Sequence, residues 1–161
     1  MPPTPSLQLD RFVPYRLSVL ANLVSSAISG AYAERYSLSI PEWRVIAALG
    51  EQPGMSAADV AARTAMDKVA VSRAVAALLR ARRIVRTQSR RDRRRSVLRL
   101  SRTGAALYAR VVPQVLEYEA ALLGVLGRDE RRALDRLLEK LTRRAGELTP
   151  CIIARLAPNA R

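Results

Sequence analysis

The stretch Asp67-Lys68-Val69-Ala70-Val71-Ser72-Arg73-Ala74-Val75, followed by Ile84-Val85-Arg86-Thr87-Gln88 and Ser96-Val97-Leu98-Arg99-Leu100, decides the fold. Asp67 is of the residue type that caps a helix, because its carboxylate can accept the unpaired amides of a first turn. The helix it opens runs to about Arg82, with Val71, Val75, Leu78 and Leu79 on its core face at helical spacing. The two later segments are β-prone and flank an arginine-rich turn at 89–95, so they read as a hairpin. Its tip carries Arg90, Arg91, Asp92, Arg93, Arg94 and Arg95.

Working upstream, Ser39-Ile40-Pro41-Glu42 reads as a capping box, in which the serine takes an amide and the glutamate reaches back. Trp43, Val45, Ile46 and Leu49 give the helix it opens a buried face, and Gly50 and Pro53-Gly54 end it. Ser56-Ala57-Ala58-Asp59 repeats the capping logic and starts another short helix with Val60 inward. Three closely spaced helices followed by a charged two-stranded wing make a winged helix-turn-helix over residues 39–101, a shape suited to DNA.

The flanks are helical as well. From Phe12 to Tyr36 the positions Leu17, Leu20, Val24, Ile28 and Ala31 mark one long amphipathic helix, with Pro14 tolerable in its first turn. After Ser101, Leu107, Val111, Val115, Leu122 and Val125 mark a helix bent at Pro113. Gly127 breaks it, Asp129 and Glu130 sit at the favourable end of the next, and Leu134, Leu137, Leu138 and Leu141 line that one. Pro150 is expected to end regular structure.

The expected organisation is mainly α, one domain over 1–161. It comprises an N-terminal dimerisation helix at 12–36, the winged lobe at 39–101, C-terminal dimerisation helices at 102–147 and a tail at 148–161. Pairing of the flanking helices between two chains predicts a homodimer.

Composition narrows the function. Of 161 residues 49% are hydrophobic and 26% charged, enough for a buried core without metal or disulfide staples. There is no histidine and a single cysteine, Cys151. Imidazole-based catalysis and cysteine-built zinc sites are thereby removed, and no glycine-rich phosphate loop is present. No enzyme chemistry, metal or cofactor is expected. No apolar run is long enough for a membrane span, and a proline-rich start without a basic or apolar stretch predicts a cytoplasmic protein. Net charge is +14, with eleven arginines and one acid, Asp92, between Arg80 and Arg102. A field of that sign attracts a polyanion, with nucleic acid the leading candidate.

The chain resembles the multiple-antibiotic-resistance-regulator (MarR) family. The resemblance is carried by Leu38-Ser39-Ile40-Pro41-Glu42-Trp43-Arg44-Val45, by Asp67 to Val75, and above all by Asp92-Arg93-Arg94-Arg95 closing with Leu98-Arg99-Leu100-Ser101. It covers about residues 12–147. It implies a homodimer with two winged lobes on a palindromic operator in double-stranded DNA, commonly as a repressor. It also implies release by a small phenolic or anionic effector from a cleft between the dimer region and the DNA lobe. Two departures stand out. Arg82 follows the recognition helix where relatives often have glycine, at a cost on the order of 1 kcal/mol if the backbone there is left-handed. Arg90-Arg91 precede the wing aspartate, where relatives are often acidic or carry proline.

Roles follow from both readings. Lys68, Ser72 and Arg73 lie opposite the core face of the recognition helix; Arg73 suits a guanine edge, while Lys68 and Ser72 suit phosphates or mixed contacts. A merely solvated Arg73 is the alternative. The wing arginines suit a narrow minor groove. The resemblance makes Arg94 the inserted residue with Arg93 next, and Asp92 the residue that holds the tip in shape. Arg90, Arg91 and Arg95 add charge. Trp43 is read as core packing, with a wall of the effector cleft as the alternative, and Tyr15, Arg16, Tyr36 and Arg86 are the other cleft candidates. Cys151 is read as an incidental or buried thiol. Two further functions remain open: a non-specific architectural DNA-binding dimer without effector, and a protein that sets its basic wing on an acidic partner.

Overall fold

The structure, a computed structural model, describes residues 6–88 and 96–156. The elements run α1 (Val13–Ser29), α2 (Ala33–Tyr36), α3 (Ile40–Glu51), α4 (Ala57–Thr64), α5 (Lys68–Arg80), β1 (Ile84–Gln88), β2 (Ser96–Leu100), α6 (Arg102–Leu123) and α7 (Arg128–Leu156). The chain divides into two compact units, one through Glu117 and one from Tyr118. This is a mainly helical protein with a two-stranded antiparallel wing.

The three short helices start where their caps stand. Ser39 Oγ accepts from the Glu42 amide at 3.4 Å, and the Ser39 amide donates to Glu42 Oε2 at 2.7 Å. Ser56 and Asp59 repeat this reciprocal arrangement at 3.2 and 2.9 Å. Asp67 Oδ1 accepts from the amides of Val69 and Ala70 at 2.9 and 2.8 Å. Each of these bonds satisfies a donor that the helix cannot pair for itself.

Between the caps, apolar side chains of α3, α4 and α5 close on one another and on the hairpin. Val45, Ile46, Leu49, Val60, Val71, Val75, Leu78, Ile84 and Leu98 are all buried, and no buried residue among those described is polar or charged. The register runs from Ile84 opposite Leu100 to Gln88 opposite Ser96. Leu98 also pairs with Met55: its amide donates to the Met55 carbonyl at 2.8 Å, and its carbonyl accepts from Gly54 at 2.9 Å. The wing is thereby stitched to the α3–α4 connection. Leu107 and Val111 bring the first half of α6 into the same core.

Two flanking expectations need correction. The single helix expected over 12–36 is split, since α1 ends at Ser29 and the short α2 begins at Ala33. Gly30, a poor helix former, sits at the break. The turn delivers Tyr32, 1% exposed, onto the Trp43 ring at a centroid distance of 5.3 Å, which a continuous helix with no buried residue would not provide. At the other end, Pro150 does not stop the chain's last helix, which continues to Leu156. A proline removes one amide from a helix, whereas propagation of an established helix needs only the remaining bonds. In the second unit, α7 is opened by the Gly127 amide donating to Glu130 Oε2 at 2.7 Å. None of that unit's described side chains is buried.

Candidate nucleic-acid interface

The outward side of α5 is set by its inward one. Val71, Ala74, Val75 and Leu78 are buried, so Lys68, Ser72 and Arg73 are turned to solvent, together with Val69 and Ala76. The two flanks of this exposed stripe border different grooves. Lys68 and Ser72 line one of about 460 Å³ with Ala57 and Ala58 of α4 and Arg86 of β1. Arg73 lines another of about 360 Å³ with Ser39, Pro41 and Glu42 at the start of α3. The helix therefore presents two cations and a hydroxyl on a surface bordered by the winged lobe.

The turn from α5 into β1 is held tightly. Arg82 is left-handed at φ 53°, so the cost that this conformation carries for a residue with a side chain applies here. The Arg83 amide reaches the Leu78 carbonyl at 2.9 Å and the Arg82 amide the Leu79 carbonyl at 3.0 Å, the paired bonds of a left-handed helix terminus. The Arg82 carbonyl accepts from the hydroxyls of Ser101 and Thr103 at 2.7 and 2.8 Å. Ser101 also caps α6, its Oγ accepting from the Gly104 amide at 3.0 Å. The base of the wing is thus clamped to both helices that flank it, and Arg83 adds a bond to the Tyr36 carbonyl. The expected wing-tip residues Arg90, Arg91, Asp92, Arg93, Arg94 and Arg95 lie outside the described residues.

The five residues grouped at sequence level as an effector cleft are distributed over separate places. Tyr15 and Arg16 line a shallow groove on α1 with Asp10, Val19, Leu20 and Leu23. Tyr36 is half-buried, packs against the core and carries Arg35 over its ring at 5.7 Å. Arg86 stands beside α5, because strand alternation puts it on the same face as Ile84. Trp43 is packed in the core, as expected, between Tyr32 and Tyr108, the latter at 6.3 Å. Its edge also borders a groove of about 520 Å³ with Arg44, Ala47, Glu51, Arg63 and Tyr108.

Sequence reading missed this three-ring stack. Tyr32 was hidden inside an assumed helix, and Tyr108 can lie over α3 only because Gly50 lacks a Cβ; one there would stand 2.5 Å from its ring. Burial raises the Tyr32 phenol above its ordinary value, with the Arg44 charge acting against it. Arg44 donates to Ser25 Oγ at 3.2 Å, and Arg63 pairs with Glu51, which raises the guanidinium further. Among the described residues no group of side chains could hold a metal ion and no helix is long and apolar enough to cross a membrane.

Comparison with known proteins agrees with this architecture. Residues 36–95 match the MarR family model. A MarR/EmrR family transcriptional regulator from Acinetobacter sp. ADP1 is similar over 88% of this chain and 99% of its own, at 28% identity and a TM-score of 0.81. PcaV from Streptomyces coelicolor, solved with its natural ligand, shares the fold over 88% of this chain and 99% of its own (21% identity, TM-score 0.73). So does BpsR from Bordetella bronchiseptica, whose DNA binding is regulated by 6-hydroxynicotinic acid, over 86% and 98% (23% identity, TM-score 0.73). A comparison with curated proteins returns no match. The family's pattern spans residues 36–95, the helix-turn-helix and wing, and the similarity of fold extends over both flanks.

Proposed function

We propose that the protein is a sequence-specific DNA-binding transcriptional regulator, a repressor, that acts as a homodimer on a palindromic operator. The observation that carries this reading is the exposed Lys68–Ser72–Arg73 stripe of α5, set on a rigid lobe beside a hairpin whose connecting segment holds five arginines. A helix of this kind enters the major groove, where base edges are distinct, and a hairpin beside it reaches the neighbouring minor groove. Arg73 is the guanine reader, and Arg94 the residue inserted by the wing. The exposed apolar side chains of α1 and of α7 supply the faces through which two chains pair.

The effector of this reading is a small phenolic or anionic molecule. NadR, of the same fold, has been solved in complex with 4-hydroxyphenylacetate, and the DNA binding of BpsR is regulated by 6-hydroxynicotinic acid. The groove beside Trp43, Arg44 and Tyr108 offers rings and a cation together. Trp43 is the single tryptophan, so 4-hydroxyphenylacetate binding there should quench the protein's indole fluorescence and lower DNA affinity in parallel.

The deciding experiment is fluorescence anisotropy on a duplex recovered by selection from a random library, against its shuffled version. A regulator keeps a preference of at least about 10³-fold. Arg73→Ala should remove about 1–3 kcal/mol of that discrimination. If the dimer neutralises about 8 phosphates, the slope of log K on log salt should be near −7. Equal binding to both duplexes would leave the architectural reading in its place.

A further inference from the structure

Two arginines of the winged lobe hold the N-terminal helical segment. Arg44 of α3 donates to Ser25 Oγ on α1 at 3.2 Å, and the guanidinium of Arg83, just before β1, donates to the carbonyl of Tyr36, the last residue of α2. Between Ser25 and Tyr36 lie the break at Gly30 and Tyr32, whose ring stacks on Trp43. The first tie ends in the groove of about 520 Å³ that Trp43, Arg44 and Tyr108 line. The second ends at the base of the wing. Arg83 is half-buried and its backbone is engaged as well: its amide reaches the Leu78 carbonyl of α5 at 2.9 Å, and its own carbonyl accepts from the Ser101 amide at 3.0 Å. Gly104 of α6 lies so close to that carbonyl that an added Cβ would clash with it. A helix-end carbonyl without a partner suits a guanidinium, and a charged donor strengthens the bond. Arg83 thus joins α2, the end of α5, the exit from β2 and the start of α6.

We infer that Arg83 is the positioning residue through which an occupant of the groove beside Trp43 acts on the recognition helix α5. An anion bound there competes with Ser25 for Arg44 and bears on the ring that Tyr32 stacks against. It therefore shifts the segment 25–36 at its first tie. Arg83 holds the far end of that segment and, through Leu78 and Ser101, the end of α5 and the base of the wing. Packed elements switch between discrete arrangements rather than deforming smoothly, so a displacement at one tie is passed on at the other. Arg83 touches neither DNA nor effector in this role; it sets where the reading surface stands. The inference rests on the effector reading above and names the residue that carries its signal.

The test uses the full chain, the selected duplex and 4-hydroxyphenylacetate, with the small molecule followed by Trp43 fluorescence and DNA by anisotropy. The ratio of DNA affinities without and with 4-hydroxyphenylacetate is the coupling factor, about 5 to 150 for typical linked sites. Arg83→Gln should keep the quenching midpoint within about twofold and pull the coupling factor down to about 2 or less. Arg83→Lys, which keeps a charged donor for the Tyr36 carbonyl, should restore most of it. A residue that only stabilises the fold would lower the urea midpoint and leave the coupling factor as it was. That outcome in folded Arg83→Gln overturns the assignment. A second measurement needs no effector. The effects of Arg44→Gln and Arg83→Gln on DNA affinity should fail to multiply, departing from their product by at least about threefold, whereas independent sites agree within about twofold. Agreement with the product overturns the inference as well. If 4-hydroxyphenylacetate neither quenches Trp43 nor changes DNA affinity in the unsubstituted chain, the effector reading is what falls, and the double substitution still decides the role of Arg83.

Discussion

Arg82 occupies a left-handed backbone position that an L side chain crowds, yet two hydroxyls and two helix-terminal bonds hold it there. Arg82→Gly relieves about 1 kcal/mol of that crowding, less the extra freedom glycine has when unfolded. A net gain of about 0.5 kcal/mol in urea denaturation is the expected outcome. Gly104, in the first turn of α6, is the opposite case: an added Cβ would lie 1.9 Å from the Arg83 carbonyl oxygen. Gly104→Ala should therefore cost about 2 kcal/mol or more, because backbone rather than a flexible side chain must move. Tyr32 makes a prediction about pH. Its folded-state phenol titrates above the ordinary 10.0 because burial disfavours the phenolate. The stability this contributes is full below the unfolded value and is lost as pH rises through the raised folded one. Denaturation midpoints should fall above about pH 10, and Tyr32→Phe should flatten that fall.

At the scale of elements, local chemistry sets where helices start and tertiary demands set where they stop. Asp67 satisfies two first-turn amides of α5, so Asp67→Ala should cost about 1 kcal/mol in thermal or urea unfolding. The same change should weaken DNA binding by fraying the turn that carries Lys68. The α1–α2 break follows from a different cause. The chain gives up one helical turn at Gly30 to bury Tyr32, whose ring adds stacking to burial. No cap marks that break: Tyr32 at the start of α2 offers no side-chain hydrogen bond, so the pattern Leu17, Leu20, Val24, Ile28, Ala31 reads as continuous. Hairpin register is pinned because Ile84 and Leu98 both face the core, and a slip by one residue would expose them.

On the molecular scale, the apolar surface is distributed unevenly. α1 has no buried residue, and Leu17, Leu20 and Leu23 on it are exposed, Leu23 at 64%. On α7, Leu137, Leu138 and Leu141 are exposed as well. These exposed side chains are the faces through which the proposed homodimer would pair. The double substitution Leu20→Glu/Leu23→Glu should shift sedimentation from dimer to monomer while the melting of the winged lobe persists. DNA affinity should drop steeply in the same variant, because one lobe then binds without its partner.

What the sequence determined by itself was local. Caps at Ser39, Ser56 and Asp67, the apolar faces of α3 and α5 and the β-prone arms of the wing each depend on residues within a few positions of one another, so their physics is written in order along the chain. The turn at Arg82 was left open by the sequence, and its left-handed backbone is seen only with the bonds that hold it. What only the tertiary structure decided involves partners far apart in sequence. These are the Tyr32–Trp43–Tyr108 stack, the passage of Tyr108 over Gly50, the clamp from Ser101 and Thr103 onto Arg82, and the placing of Arg86 beside Lys68 rather than Trp43. Side-chain type and spacing cannot report such neighbours, because burial and approach are settled only when the separate elements pack against one another.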